Sequence, residues 1–324
     1  MMTNLSKTLN PISLADIQAA RGRIADSVIR TPLLRLNVAD TPAEIYLKLE
    51  NLQPIGSFKL RGAGNAIALA SPEQLAQGVY TASAGNMAQG VAWHARRLGI
   101  PCTVVVPDHA PETKLAAITR LGATFIKVPF DEWWQVIVTH QYPGLKGLFV
   151  HPVSDPAVMA GNGTIGLEIL EDLPDVDTIL VPYGGGGLSC GIATAVRALK
   201  PATKIFAAVV ETSAAFAAAL KAGEAVKIDY QASFVDGIGS GSVLADMWPV
   251  ARELLDGSLV SSLAEVAEAV RVLAERNRVI AEGAGATPVA AVLAGKAGGG
   301  KVVCIVSGGN IDFEKLVKIF KREL

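Results

Sequence analysis

Lys59 stands in the string Gly56-Ser57-Phe58-Lys59-Leu60-Arg61-Gly62-Ala63, and far downstream Gly184-Gly185-Gly186-Gly187 runs into Leu188-Ser189. A lysine amine attacks an aldehyde once it is neutral, and burial lowers its pKa in that direction. Glycines let the main chain approach an anion closely, and a helix opening at them offers free N–H groups and the positive end of its dipole. Together the two strings describe an amine suited to an aldehyde and a cradle suited to that aldehyde's phosphate. Each also has an ordinary explanation. Most lysines are solvated surface charges, and a tight strand–helix turn needs only one glycine. Four glycines after a predicted strand, before a helix carrying Ile192, Ala193, Val196 and Leu199, favour phosphate.

Other glycine-bearing strings weigh differently. A dinucleotide fingerprint would need an acidic residue roughly twenty positions on to hold a ribose, and Glu211 comes late for that. Gly295-Lys296-Ala297-Gly298-Gly299-Gly300-Lys301 imitates the front of a P-loop, but no Ser or Thr follows the lysine and the string precedes a strand, so it reads as a loop. Ser83-Ala84-Gly85-Asn86-Met87 lies where a strand ends and a helix begins. Ser83 there is either a helix cap, worth about 1 kcal/mol, or part of a seat in which free N–H groups hold a carboxylate.

The elements that must position these residues alternate along the chain. Predicted strands are Val79–Ala82, Thr103–Val106, Thr124–Val128, Gly147–Val150, Thr178–Pro182, Lys204–Val210 and Lys301–Val306. Between the first two, Ala88, Val91, Ala92, Ala95 and Leu98 recur at helical spacing until Gly99 and Pro101. Strand–helix repetition implies parallel sheets with crossover helices, an α/β fold whose ligands bind at the carboxyl ends of strands. Those ends carry Ser83–Asn86, Gly184–Gly187 and Ser307-Gly308-Gly309-Asn310, small polar residues that could share one pocket.

Composition narrows the function classes. The chain has 324 residues, half of them hydrophobic and 18% charged, enough for a sizeable core in two domains. A net charge of -1 and a pI near 6.4 give no electrostatic reason for nucleic acid or an anionic membrane as partner. Cys102, Cys190 and Cys304 are far apart in apolar surroundings and match neither a disulfide framework nor a metal site. His94, His109, His140 and His151 lack ligand spacing. The polar stretch Met1 to Pro11 lacks a signal peptide's apolar core, and no apolar run reaches spanning length, so a cytoplasmic protein is expected.

Ser57-Phe58-Lys59, Ser83-Ala84-Gly85-Asn86, Gly184–Leu188 and Ser307–Asn310, in this order, resemble the pyridoxal-phosphate enzymes of the tryptophan-synthase β type (fold type II). The resemblance is closest to the threonine/serine dehydratase and serine racemase branch. It extends through Thr31-Pro32-Leu33, Lys48-Leu49-Glu50, Gly161-Asn162-Gly163-Thr164 and Asp236-Gly237. It implies a pyridoxal 5′-phosphate cofactor bound covalently by Lys59, packed by Phe58, bonded at its 3′-oxygen by Asn86, held at its phosphate by Gly184, Gly185, Gly186, Gly187 and Leu188, and met at its ring nitrogen by Ser307. Ser83, Ala84, Gly85, Asn86 and Met87 would receive the substrate, with Ser83 and Lys59 in catalytic roles. The implied reaction is β-elimination from a β-hydroxy-α-amino acid to a 2-oxo acid and ammonia. Lys59 would act as base, and a hydroxyl at the ring nitrogen would suit a leaving group that departs as the Cα proton is lost. Racemisation and β-replacement are the alternatives within the family, and an NAD-dependent dehydrogenase is a distant one that leaves Lys59 and Ser307 without a task.

The resemblance also implies a two-domain chain. Residues 1–77 and 151–324 would form a large cofactor domain, 78–150 a small domain that closes over substrate, and the whole a homodimer. Three departures refine this. Ala84 stands where racemase-like members carry a proton-donating serine, so dehydration should dominate. Met87 replaces a common histidine. Trp133 and Trp134 after Asp131-Glu132 either anchor the small domain's surface or, through Trp134 and with Tyr183, line a pocket for an aromatic substrate such as phenylserine. Glu211 begins a cation site whose second carboxylate is missing at Ala215 and Ala217, so no metal is expected. Glu282 either approaches the cofactor or caps its helix. Ser307–Asn310 lies near Leu324, so no C-terminal regulatory domain, and no amino-acid feedback, is expected.

Overall fold

The computed structural model of the protein describes residues 9–324; most of the polar N-terminal stretch, residues 1–8, lies outside them. Among the described residues the strands are β1 (Leu33–Arg35), β2 (Ala43–Lys48), β3 (Val79–Ala82), β4 (Cys102–Pro107), β5 (Thr124–Val128), β6 (Leu148–Phe149), β7 (Thr178–Pro182), β8 (Lys204–Val210), β9 (Gly257–Ser261) and β10 (Gly300–Ile305). Six form one sheet in the order β1-β2-β10-β7-β8-β9, parallel except where β1 meets β2; four form a second, wholly parallel sheet in the order β5-β4-β3-β6. All four strands of the second sheet fall within residues 78–150. The mostly parallel α/β class is the one the alternation implies. Helices cover both faces, so central strands such as β7 (Thr-Ile-Leu-Val-Pro) are buried throughout rather than alternating.

The helix Asn86–Leu98 buries Ala88, Val91, Ala92 and Ala95 and leaves Leu98 at the surface. It stops at Gly99, whose φ of 67° lies in the left-handed region and returns its N–H to the carbonyls of Ala95 and Arg96. Strands β1, β2 and β9 were not anticipated. β1 is a three-residue edge, β9 opens on Gly257-Ser258, and β2 sets the charged Glu44 and Lys48 around its apolar residues.

Lys48 is nonetheless fully buried. Its Nζ lies 2.6 Å from Glu168 and donates to the Thr31 carbonyl at 2.7 Å. Arg61, also fully buried, forks onto Glu50 with two bonds of 2.8 Å and onto Glu168 at 2.7 and 2.9 Å. Thr31 Oγ1 donates to Glu50, and the Arg61 guanidinium donates to Thr164 Oγ1. Two cations and two carboxylates thus neutralise each other out of water, with the desolvation opposed by charge-assisted bonds. Thr31, Lys48 and Glu50 of the family-like strings therefore serve this network. Gly161 and Gly163 serve helix packing, since a Cβ on them would come within 2.5 Å of the Arg61 carbonyl oxygen and 2.8 Å of the Gly191 carbonyl oxygen.

Cys102, Cys190 and Cys304 are free and buried. The Gly295–Gly299 segment is a turn ahead of β10, and its lysines are engaged elsewhere, Lys296 with Glu265 and Lys301 with Asp175.

Candidate active site

Three strand ends converge. β3 of the small sheet delivers Ser83–Met87, while β7 and β10, neighbours in the large sheet, deliver Gly184–Leu188 and Ser307. The turn before the helix Lys59–Ala68 is tied to the end of β10: Phe58 N–H donates to the Ser307 carbonyl at 3.0 Å and Gly309 N–H to the Gly56 carbonyl at 2.9 Å. Lys59 thus lies beside Ser307 although 248 residues separate them in sequence.

These segments line one cavity of about 640 Å³, with Phe58, Lys59, every residue from Ser83 to Met87, every residue from Gly184 to Leu188, and Ser307 on its walls. Trp134 is not on them. Adjacent helical residues point about 100° apart, so of the two tryptophans on the helix Phe130–Thr139, both packed against the cluster of Val136 and Ile137, it is Trp133 that lines the cavity. Tyr183 also turns away, buried with its ring stacked on Phe216 at 4.4 Å.

Lys59 is half-buried. Its Nζ donates to the Pro152 carbonyl at 2.6 Å and lies 5.1 Å from the centre of the Phe58 ring. Loss of hydration pulls its pKa down to about 8, against an opposing pull from Glu282. Glu282 is buried, and loss of hydration, then the charge of Asp236, push its carboxyl up to about 7. Its carboxylate makes no cap bond to its helix, Gly283–Leu293, and instead accepts from Asn86 Nδ2 at 2.8 Å. Asn86 Oδ1 accepts from Asn310 Nδ2 at 2.8 Å. At the rim, Lys114 Nζ meets Asp236 at 2.9 Å and Thr113 donates to Asp312 at 2.9 Å.

Of the helices that start at this cavity, Asn86–Leu98 and Gly187–Leu199 open directly from the Ser83–Gly85 and Gly184–Gly186 loops, and neither has a side-chain cap. Their first N–H groups have no intrahelical partner, so each start can hold an anion. Ser83 is not the cap: Gly85 occupies that position, and Ser83 Oγ accepts from Gly85 N–H at 3.2 Å. The glycine run is also shaped by packing. Gly186 has a φ of 98°, and a Cβ on Gly185 or Gly187 would fall within 2.5 or 2.6 Å of Val153, next to the carbonyl that holds Lys59. The run is therefore both a cradle and a site of close chain crossing. An amine of lowered pKa that shares one cavity with two glycine-bearing helix starts and a buried hydroxyl at Ser307 fits an aldehyde-bearing phosphate ester and a substrate carboxylate.

Remaining candidates are spent elsewhere. Glu211 accepts from Leu263 N–H at the start of the next helix, and no group of three or more metal-capable side chains occurs among the described residues. His151 accepts from the Val153 and Ser154 N–H groups, and His94 bonds to the Leu60 carbonyl; burial holds them down to about 3 and about 4, so both stay neutral. No side-chain signal marks Pro152, which acts through its carbonyl, or Lys114 and Thr113, which are ordinary helix-start residues.

Comparison with known proteins agrees with this chemistry. The family model for "Pyridoxal-phosphate dependent enzyme" matches residues 24–308. An L-threonine ammonia-lyase of Thermotoga maritima is 42% identical over 318 residues, covering 97% of this chain and 79% of that protein. The processed form of threonine deaminase isoform 2 from Solanum lycopersicum superposes with a TM-score of 0.87 at 32% identity, covering 97% of this chain and 91% of that one. Maize serine racemase superposes with a TM-score of 0.86 at 31% identity, covering 97% and 98%. Among the described residues no helix is long and apolar enough to cross a membrane.

Proposed function

The chain belongs to the pyridoxal-phosphate-dependent enzymes, and on that premise we propose that it is an ammonia-lyase that converts a β-hydroxy-α-amino acid of the threonine or serine type to a 2-oxo acid and ammonia, the water lost in the elimination being regained when the enamine product is hydrolysed. The observation that carries this reading is one cavity holding a lysine of lowered pKa together with the uncapped helix starts that follow Gly85 and Gly186. When bound, pyridoxal phosphate supplies the aldehyde that captures an amine and the conjugated ring that accepts electrons from Cα.

The chain's own groups do the rest. Gly184–Leu188 seat the phosphate on main-chain N–H groups, Phe58 and Ser307 bound the ring, and Asn86 meets its edge. The Ser83–Met87 helix start holds the substrate carboxylate. Lys59, as a free amine, would be the base that takes the Cα proton, a task its lowered pKa suits near neutrality. Loss of the β-hydroxyl as water would complete the elimination, and hydrolysis of the released enamine would return that water and yield the 2-oxo acid and ammonia. Ala84 offers no proton from the opposite face, which separates this site from a racemase. Residues 78–150 close as a unit to exclude water, the working form is a homodimer, and the enzyme acts in the cytoplasm.

Borohydride reduction followed by mass spectrometry of peptides tests the core of this reading. The adduct is expected on Lys59, and Lys59→Ala should lose both the visible absorbance band and ammonia release. An adduct on another lysine would overturn the assignment. Threonine, serine and phenylserine compared by kcat/KM fix the side chain accepted. Trp133, rather than Trp134, is the aromatic residue a bulky substrate would meet, and light scattering tests the dimer.

A further inference from the structure

Asn86 resembles the family residue that meets the cofactor's 3′-oxygen, yet an asparagine amide has two faces. Rotated by half a turn, it presents a carbonyl where it had presented an N–H. We propose that Glu282 and Asn310 are a positioning pair that fixes this choice, so that an N–H of Asn86, never its carbonyl, faces the cavity. The proposal rests on the reading that pyridoxal phosphate occupies the cavity.

With Glu282 ionised, the bonds run in one direction between two acceptors. At one end, the Ile55 main-chain carbonyl accepts from Asn310 Nδ2 at 2.8 Å. The second hydrogen of that Nδ2 goes to Asn86 Oδ1, also at 2.8 Å. At the other end, the Glu282 carboxylate accepts one hydrogen of Asn86 Nδ2 at 2.8 Å. Asn86 is left with one unspent N–H, and the residue lines the cavity. Reversing the Asn86 amide would set its carbonyl against a carboxylate and its NH₂ against another NH₂. It would lose two bonds and create two repulsions.

Room for both orienting side chains is built into the backbone. A Cβ on Gly308 would fall 2.5 Å from Glu282 Oε1, and one on Gly56 would fall 2.8 Å from Asn310 Oδ1. Glu282, at the cap position of its helix, makes no cap bond and is free for this role. Neither Glu282 nor Asn310 needs to touch the cofactor; each acts through Asn86.

The test is a mutant cycle on the full-length chain, stripped of cofactor and retitrated with pyridoxal phosphate, following the dissociation constant and the position of the visible band. Glu282→Ala, Asn310→Ala and Asn86→Ala should each weaken binding about tenfold, the worth of one bond of roughly 1.4 kcal/mol. Glu282→Gln, whose carbonyl oxygen still accepts, should bind within a few-fold of wild type and keep its band. Glu282→Ala made on top of Asn86→Ala should cost nothing further. Full additivity of those two changes, or a Glu282→Gln variant as weak as Glu282→Ala, would overturn the proposal. Should Glu282→Ala fail to fold by thermal melting, the Asn310→Ala and Asn86→Ala pair decides the same question. A wild-type chain that takes up no pyridoxal phosphate would instead sink the reading of the cavity, a separate result.

Discussion

Two opposed influences meet at the Lys59 amine: the loss of water around it favours the neutral form, and the Glu282 carboxylate favours the charged one. The first prevails. Because the folded pKa of about 8 lies below the free value of 10.5, the folded chain binds fewer protons than the unfolded chain between those limits. Stability from this group therefore rises with pH across that window and is lost as pH falls toward 8. Reactivity follows the same sign. Uptake of pyridoxal phosphate by the stripped chain should accelerate as pH climbs through about 8, read by stopped-flow absorbance; a midpoint near 10.5 would mean a solvated amine. Ala84 carries a second expectation at this scale. Ala84→Ser should raise racemisation relative to elimination by about tenfold or more, a positioned general acid being worth roughly 10²–10⁴. Chiral chromatography of recovered serine measures it, and an unchanged ratio would remove Ala84 as the discriminator.

At the scale of elements, legibility in the sequence depended on how local the signal is. The strand–loop–helix junctions at Ser83 and Gly184 were readable because a short apolar run, small residues and a helical period follow one another directly. Strand β2 was not, because its Lys48 looks solvated until Glu168, 120 residues away, is placed beside it. Glu282 left two readings open for the same reason: only the fold decides between capping and reaching Asn86. Trp133 and Trp134 are not separable in the sequence, because nothing in adjacent letters says which side of a helix turns inward. The buried ion network yields a prediction here. Arg61 lies two residues past Lys59, hence roughly 200° around the same helix, and anchors it from behind. Arg61→Met leaves Glu50 and Glu168 short of a partner and should cost about 3–5 kcal/mol in urea unfolding. A loss below about 1 kcal/mol would mean the carboxylates find other compensation.

At the scale of the whole molecule, and among the described residues, the polar contacts that join residues 78–150 to the rest at the cavity wall are Asn86 with Glu282, Asn310 with Asn86, Lys114 with Asp236, and Thr113 with Asp312. The last two sit at the rim, outside the cofactor contacts. If residues 78–150 close over substrate, Lys114→Ala should raise KM about two- to fivefold with kcat nearly unchanged, in keeping with the modest worth of an accessible ion pair. An equal fall in kcat would place Lys114 in the chemistry instead.

Watching that closure directly is made simple by the interior cysteines. Cys102 and Cys190 are pushed up to about 12 by burial, and Cys304 higher still, so none offers the thiolate that alkylating reagents attack. The native chain should stay unlabelled by maleimide dyes without any cysteine being removed. Two thiols installed on the surface, one beside each sheet, would then be the sole attachment points for a donor and an acceptor fluorophore, and the distance between them could be followed through turnover in otherwise unaltered protein.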